Sequence, residues 1–204
     1  VSSDAFAAVK LRSMAAYGAE VLLEPSDGGA ITPDLIVRMR DRTHALAGEP
    51  GTWYANQFGN ADIRPGYAPM GAEIAESLDG RLDVLCAGVG TGGALMGAVD
   101  GLDATGCRPD VVALEPTESP LLTTGTGGPH RIEGIAVGFA PPFLDRDRVP
   151  EVRTVDQAEA LVMCRRLAAE EGLLCGPSTG LNVVAAIRLA VERREGSVVA
   201  TFGV

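Results

Sequence analysis

With 204 residues the chain has room for one large domain or two small ones, and at 46% hydrophobic but only 4% aromatic it points to an aliphatic core. A net charge of −10 argues against nucleic acid or an anionic membrane as the main partner, and no apolar run is long enough to span a bilayer. The four cysteines, Cys86, Cys107, Cys164 and Cys175, lie scattered in or beside apolar stretches without a CxxC pair, which favours buried reduced thiols in a cytoplasmic protein over a metal site or disulfides.

Taken in chain order, residues 4–18 carry Ala7, Val9, Leu11, Met14 and Ala15 at helical spacing, with Gly18 as the C-cap. Residues 21–23 predict a short strand. Thr32 and Pro33 predict the N-cap and first position of a second helix, on which Arg38, Arg40 and Arg42 form a solvated face. Gly48-Glu49-Pro50-Gly51 ends it, and residues 53–55 predict a brief strand. The polar stretch Asn56-Gln57-Phe58-Gly59-Asn60 follows, and a helix is expected over 69–78. Next come a buried strand at 84–87, a glycine turn, a helix from Ala94 to near Gly101 and a strand at 111–115. Residues 116–150 are rich in Gly and Pro, and a connection that long inside a compact domain is usually functional. Helices over 156–172 and 181–193 and a strand over 198–202 complete the chain. Alternating β and α elements predict an α/β fold with a doubly wound parallel sheet.

The turn Gly88-Val89-Gly90-Thr91-Gly92-Gly93 carries the chemistry. Glycines let backbone approach a phosphate closely, and the free N–H groups of the following helical turn point at it with the positive end of the helix dipole. Two readings stay open on these residues. Gly88-x-Gly90-x-x-Gly93 between strand and helix, with Glu115 at the end of the next strand as a ribose-binding acid, matches a dinucleotide fingerprint and an NAD-binding oxidoreductase.

The second reading rests on four blocks in register: Asn56-Gln57-Phe58-Gly59-Asn60 followed by Gly71-Ala72-Glu73-Ile74; the glycine turn; Glu115-Pro116 with Ser119-Pro120 and Gly128-Pro129-His130-Arg131-Ile132-Glu133-Gly134-Ile135; and Gly176-Pro177-Ser178-Thr179-Gly180. With these the chain resembles the fold-type II pyridoxal-phosphate enzymes, the group of cysteine synthase, cystathionine β-synthase and cysteine desulfhydrases. The resemblance implies a tryptophan-synthase-β-like fold, incomplete here, and β-elimination or β-replacement on cysteine, O-acetylserine or a related small amino acid. It implies that Gly90, Thr91, Gly92 and Gly93 cradle the phosphate of pyridoxal phosphate and that Ser178 hydrogen-bonds its pyridine nitrogen. It also implies that Gln57 meets the substrate carboxylate and that Gly134 lies in the segment facing the substrate. A hydroxyl opposite the ring nitrogen leaves a weaker electron sink than a carboxylate would, which suits expulsion of a β-substituent. His130 reads as a satisfied loop histidine. Three positions depart from the family pattern: Ala94 for a threonine, Pro69-Met70 for a Thr-Thr pair, and Ala136 for a glycine near the substrate.

A pyridoxal-phosphate enzyme needs a lysine to anchor its cofactor and to move the proton at the substrate α-carbon. Lys10 is the only lysine here, and the resemblance places the family lysine upstream of residue 1. The expectation is a chain truncated at both ends, with residues 1–48 the remnant of a small N-terminal subdomain and 49–204 the larger phosphate-binding domain. No catalytic residue is assigned within it, the chain alone is expected to be inactive, and the full-length enzyme is expected to be a homodimer. A non-catalytic homologue that keeps the fold is the further alternative.

Overall fold

The computed structural model describes residues 1–29 and 32–203; Ala30, Ile31 and Val204 lie outside the described residues. The chain divides into two compact units, Val1–Asn56 and Gln57–Val204.

The first unit opens on β1 (Ser2–Ser3), a strand of two serines that carries no apolar signal in the sequence. It pairs in parallel with β2 (Leu23–Glu24), and α1 (Ala8–Ala16) connects the two. Helix α2 (Pro33–Ala47) starts as its sequence predicts, with the Leu35 N–H donating to Thr32 Oγ1 at 3.2 Å. Two of its arginines correct the expectation of a merely solvated face. Arg42 pairs with Glu24 at 2.7 Å, and Arg38 donates to the Pro25 carbonyl oxygen at 2.7 Å, so they tie α2 to β2. Residues 53–55 form no strand. They run between Gly51 and Asn56, both at positive φ, and Trp53 stays 77% exposed.

The second unit holds α3 (Ile63–Ser77), β3 (Val84–Gly88), α4 (Gly93–Thr105), β4 (Asp110–Pro116), the single turn α5 (Leu121–Thr124), β5 (Glu151–Val155), α6 (Gln157–Glu171), α7 (Pro177–Glu192) and β6 (Val199–Thr201). The strands form one parallel sheet in the order β5-β4-β3-β6. Alternate residues of β3 and β4 enter opposite cores. Leu85, Ala87, Val111 and Ala113 meet Leu95, Met96 and Leu102 of α4 on one face, and Val84, Cys86, Val112 and Leu114 meet Leu181, Ala185 and Leu189 of α7 on the other. The sheet is thus doubly wound. The chain leaves β3 toward β4 and β5 and returns on its far side as β6, so the carboxyl end of β3 is a topological switch point, where such sheets open a crevice.

Two elements differ from expectation. Helix α3 begins six residues before Pro69, which sits inside it. An interior proline removes one helical hydrogen bond, but packing on α4 overrides the local signal. A Cβ on Gly71 would lie 2.0 Å from the Ala98 carbonyl oxygen and one on Gly101 1.9 Å from that of Ala68, so the two helices touch backbone to backbone. Strand β5 is absent from the hydropathy reading because it is an edge strand whose Glu151 and Arg153 pair with each other at 2.6 Å.

A charge cluster fastens the end of the long connection to this pair of helices. Asp100 of α4 accepts from Arg64 Nε and Nη2 at 2.9 and 2.7 Å and from Arg148 Nη1 at 2.6 Å. Burial alone pushes the Asp100 carboxyl up, but hydrogen bonds from Arg64 and Arg148 outweigh it and hold the group below its ordinary 3.8. A carboxyl whose folded pKa lies below the unfolded one contributes stability that is complete above the unfolded value and fades as pH falls through the folded one. Asp100→Asn is expected to lose about 1–2 kcal/mol in urea unfolding at pH 7. The difference from the parent is expected to shrink as pH drops below 3.8.

Candidate active site

The site is built at the carboxyl end of β3. The Gly88 N–H donates to Asn182 Oδ1 at 2.7 Å, and Asn182 Nδ2 donates to the Phe202 carbonyl oxygen at 2.9 Å. Asn182 is 1% exposed, so this one amide joins the end of β3 to the chain leaving β6. Beyond Gly88 the backbone turns into α4. Thr91 Oγ1 accepts from the Gly93 N–H at 3.1 Å, and Gly92 caps the helix in the left-handed region at φ +84°. The N–H groups of Gly90, Thr91, Gly92, Ala94 and Leu95 donate to no protein acceptor among the described residues. Five unpaired donors lie at or just before the N-terminus of a buried helix, the positive end of its dipole.

Separate segments hold this loop. A Cβ at Gly90 would lie 2.5 Å from the Gly134 carbonyl oxygen, and one at Gly92 would lie 2.7 Å from the Leu144 nitrogen. Phe143 N–H donates to the Thr91 carbonyl oxygen at 3.1 Å, and Ile63 of α3 presses on Gly93. The glycines at 90 and 92 are therefore required by close backbone approach, whatever ligand the donors take.

Gly134 belongs to a segment that folds against the loop. The Ala136 N–H donates to the Val89 carbonyl oxygen at 2.9 Å. His130 Nδ1 accepts from the Ile132 N–H at 3.2 Å, which leaves Nε2 as the protonated nitrogen that donates to the Ala136 carbonyl oxygen at 3.1 Å. His130 is thus a structural histidine of the loop. Ser178 lies in the first turn of α7, 8% exposed, one turn before Asn182 and so on the same helix face. Gly176, not Ser178, is the N-cap, and the Ser178 hydroxyl has no protein partner among the described residues. Gln57 is exposed in the turn over 57–59, six residues before Ile63. The structure brings Gly90, Thr91, Gly92, Gly93 and Gly134 together and sets Ser178 one turn from Asn182; it records no hydrogen bond between Gln57 and the loop among the described residues.

Glu115 does not fill the role the dinucleotide fingerprint assigns to it. The carboxylate is 2% exposed and accepts from the N–H groups of Leu122 and Thr123 at 2.7 and 3.0 Å and from the Thr123 hydroxyl at 2.6 Å. Its oxygens cap α5, so the acid is not presented to a ribose. Burial pushes the Cys86 thiol up to about 11, which makes it inert at neutral pH. Asn182, Leu144 and Ile63 are the site residues that sequence reasoning missed. Only Asn182 had a local signal, a polar residue among the apolar positions of α7.

Residues 1–202 match the model of a family described as pyridoxal-phosphate dependent enzymes. The chain belongs to this family. It is 37% identical over 177 residues to cysteine synthase 3 of Caenorhabditis elegans, covering 86% of the chain and 51% of that protein. To a cysteine synthase of Staphylococcus aureus it is 36% identical over 188 residues, covering 91% of the chain and 59% of that protein. Among solved structures it resembles an O-ureido-L-serine synthase with a TM-score of 0.85 and 32% identity, over 98% of the chain and 62% of that protein. The chain spans about half the length of the curated relatives it matches. The family shares the doubly wound parallel fold described above, and the dinucleotide reading falls with Glu115.

One residue of the segment that folds against the loop is strained. Ala136 sits at φ +49°, pinned there by hydrogen bonds at both its N–H and its carbonyl. A left-handed L-residue costs about 1–2 kcal/mol, part of which alanine recovers by restricting the unfolded chain. Ala136→Gly is expected to raise unfolding stability by about 0.5–1 kcal/mol in thermal or urea denaturation.

Proposed function

We propose that the protein carries out pyridoxal-phosphate-dependent β-elimination or β-replacement on cysteine, O-acetylserine or a related small amino acid. The observation that carries the reading is the set of five unpaired N–H groups at the N-terminus of α4. They suit a phosphate dianion, as does the helix dipole behind them. Gly90, Thr91, Gly92 and Gly93 would form the phosphate cradle, the N–H groups of the first three together with those of Ala94 and Leu95 being free to donate, while the Gly93 N–H on the Thr91 hydroxyl fixes the turn. The unpartnered Ser178 hydroxyl, one helical turn before Asn182, would serve the ring nitrogen. Gln57 would orient the substrate carboxylate, and the Gly134 segment would form the wall the substrate faces. Bound there, the cofactor supplies the electron sink that stabilises negative charge at the substrate α-carbon. Ser178 holds no formal charge against the ring nitrogen, which suits departure of a β-substituent.

Lys10 lies exposed on α1 of the first unit and has no part in this reading. Residues 1–48 would be the smaller subdomain and 49–204 the phosphate-holding domain. We infer that the full-length protein works as a homodimer in the cytoplasm.

Thermal shift separates this reading from its competitors. Inorganic phosphate and pyridoxal phosphate are both expected to raise the midpoint, by an amount equivalent to about 2.7 kcal/mol at a hundredfold excess over Kd. Pyridoxal without phosphate and NAD are expected to have no effect. Gly92→Ala should abolish both shifts, and Ser178→Ala should keep the phosphate shift while reducing that of pyridoxal phosphate. A shift with NAD and none with phosphate would overturn the proposal. Borohydride reduction with pyridoxal phosphate present, followed by peptide mapping, is expected to leave Lys10 unlabelled.

A further inference from the structure

The fold brings together two cysteines that the sequence leaves eleven positions apart. Cys164 lies on α6, and Cys175 lies in the irregular segment between α6 and α7. The Cys164 thiol donates to the Gly176 carbonyl oxygen at 3.1 Å, so its sulfur lies against the backbone of the residue that follows Cys175. Both are half-buried, unlike Cys86 and Cys107. The helix side of this contact is rigid. A Cβ on Gly180 would lie 2.1 Å from the Ala160 carbonyl oxygen and 2.7 Å from Cys164 Sγ, so α6 and α7 meet backbone to backbone beside the thiol. The other side is a loop with Leu173 and Leu174 exposed to solvent, held to α6 at its start by the Leu173 N–H on the Leu167 carbonyl oxygen at 3.0 Å.

We propose that Cys164 and Cys175 form a reversible disulfide when the protein meets a hydroperoxide. This inference goes beyond the cofactor reading and does not depend on it. The Cys175 sulfur, on the more exposed segment, attacks the hydroperoxide. The O–O bond breaks, an alcohol or water leaves, and a sulfenic acid remains on Cys175. The Cys164 sulfur then attacks that sulfur. The S–O bond breaks, and the departing hydroxide takes the Cys164 proton to leave as water. Two electrons pass from the pair of sulfurs to the peroxide, and a small dithiol returns them. Burial and the neighbouring Cys175 hold the Cys164 thiol above its ordinary range, which suits the second role better than the first.

The bond would alter the start of α7. The Gly176 carbonyl accepts from the N–H groups of Thr179 and Gly180 as well as from Cys164. Oxidation removes the thiol donor and ties residue 175 to α6 two positions before the helix begins. The first turn of α7, with Ser178, would then be held from outside as well as from within.

The test treats the purified protein with hydrogen peroxide, blocks free thiols with iodoacetamide after denaturation, and maps the peptides. Alkylatable thiols are expected to fall from four to two, with the peptides of residues 164 and 175 linked within one chain and released by dithiothreitol. In Cys164→Ser the reaction should stop at a sulfenic acid on Cys175 that dimedone traps. Four alkylatable thiols after peroxide, linkage through Cys86 or Cys107, or linkage between two copies would each overturn the proposal.

Discussion

The turn from β3 into α4 is the constraint on which the rest of this architecture depends. A strand that ends at Gly88 and a helix that starts at Gly93 leave four residues to reverse the chain's local geometry. The solution puts Gly92 in the left-handed region and lets the Gly134 carbonyl and the Leu144 nitrogen lie where side chains at 90 and 92 would be. The walls of the loop are therefore backbone. Such walls place the N–H groups without the rotamer freedom of side-chain donors, and the helix behind them is buried along most of its length. What the site gains is preorganisation: close backbone packing fixes the donors before anything binds.

Asn182 carries this arrangement to the other face of the sheet. It binds the Gly88 N–H, just before the turn, and the Phe202 carbonyl, just after β6. Neither group has a ladder partner at that point, because β6 is registered only with residues 84–86 of β3. An apolar side chain at 182 would leave a half-buried donor and a half-buried acceptor without their protein partner, each costing up to about 1–3 kcal/mol. The same side chain fixes the register of α7 against the sheet and hence the position of Ser178 one turn earlier. The two halves of the candidate site, loop and hydroxyl, are joined through a residue that would touch neither cofactor nor substrate.

What was legible in the sequence follows from how local each cause is. The glycine turn was legible because strand, glycines and helix are contiguous. The central strands, too, show as runs of apolar residues because they are buried on both faces. Strand β5 was not, since an edge strand with Glu151 and Arg153 lacks that run. The start of α3 was hidden by Pro65 and Pro69, whose breaking signal is local while the packing that overrides it comes from α4. Glu115 misled for a related reason. Its spacing from the glycines fits a ribose acid, and only the fold reveals that the carboxylate is turned back to cap α5. Ile63 and Leu144 act on the loop across gaps of thirty and more than fifty residues, and no pattern within one element announces such a contact.

A chain of net charge −10 proposed to hold a dianion poses an electrostatic question, and the geometry offers an answer. The nearby arginines are no help, because Arg64 and Arg148 are engaged with Asp100. The general field of the acidic surface decays over about 8 Å at physiological salt. Inside that distance the outcome belongs to the nearest groups, here five N–H donors and a helix terminus. Charge-assisted hydrogen bonds of that kind are each worth about 1.5–3 kcal/mol. They act at contact distance, where screening by salt is weak. A site made of neutral donors also needs no lysine or arginine kept unpaired in its absence of ligand, so the empty loop carries no uncompensated charge that the acidic chain would have to neutralise.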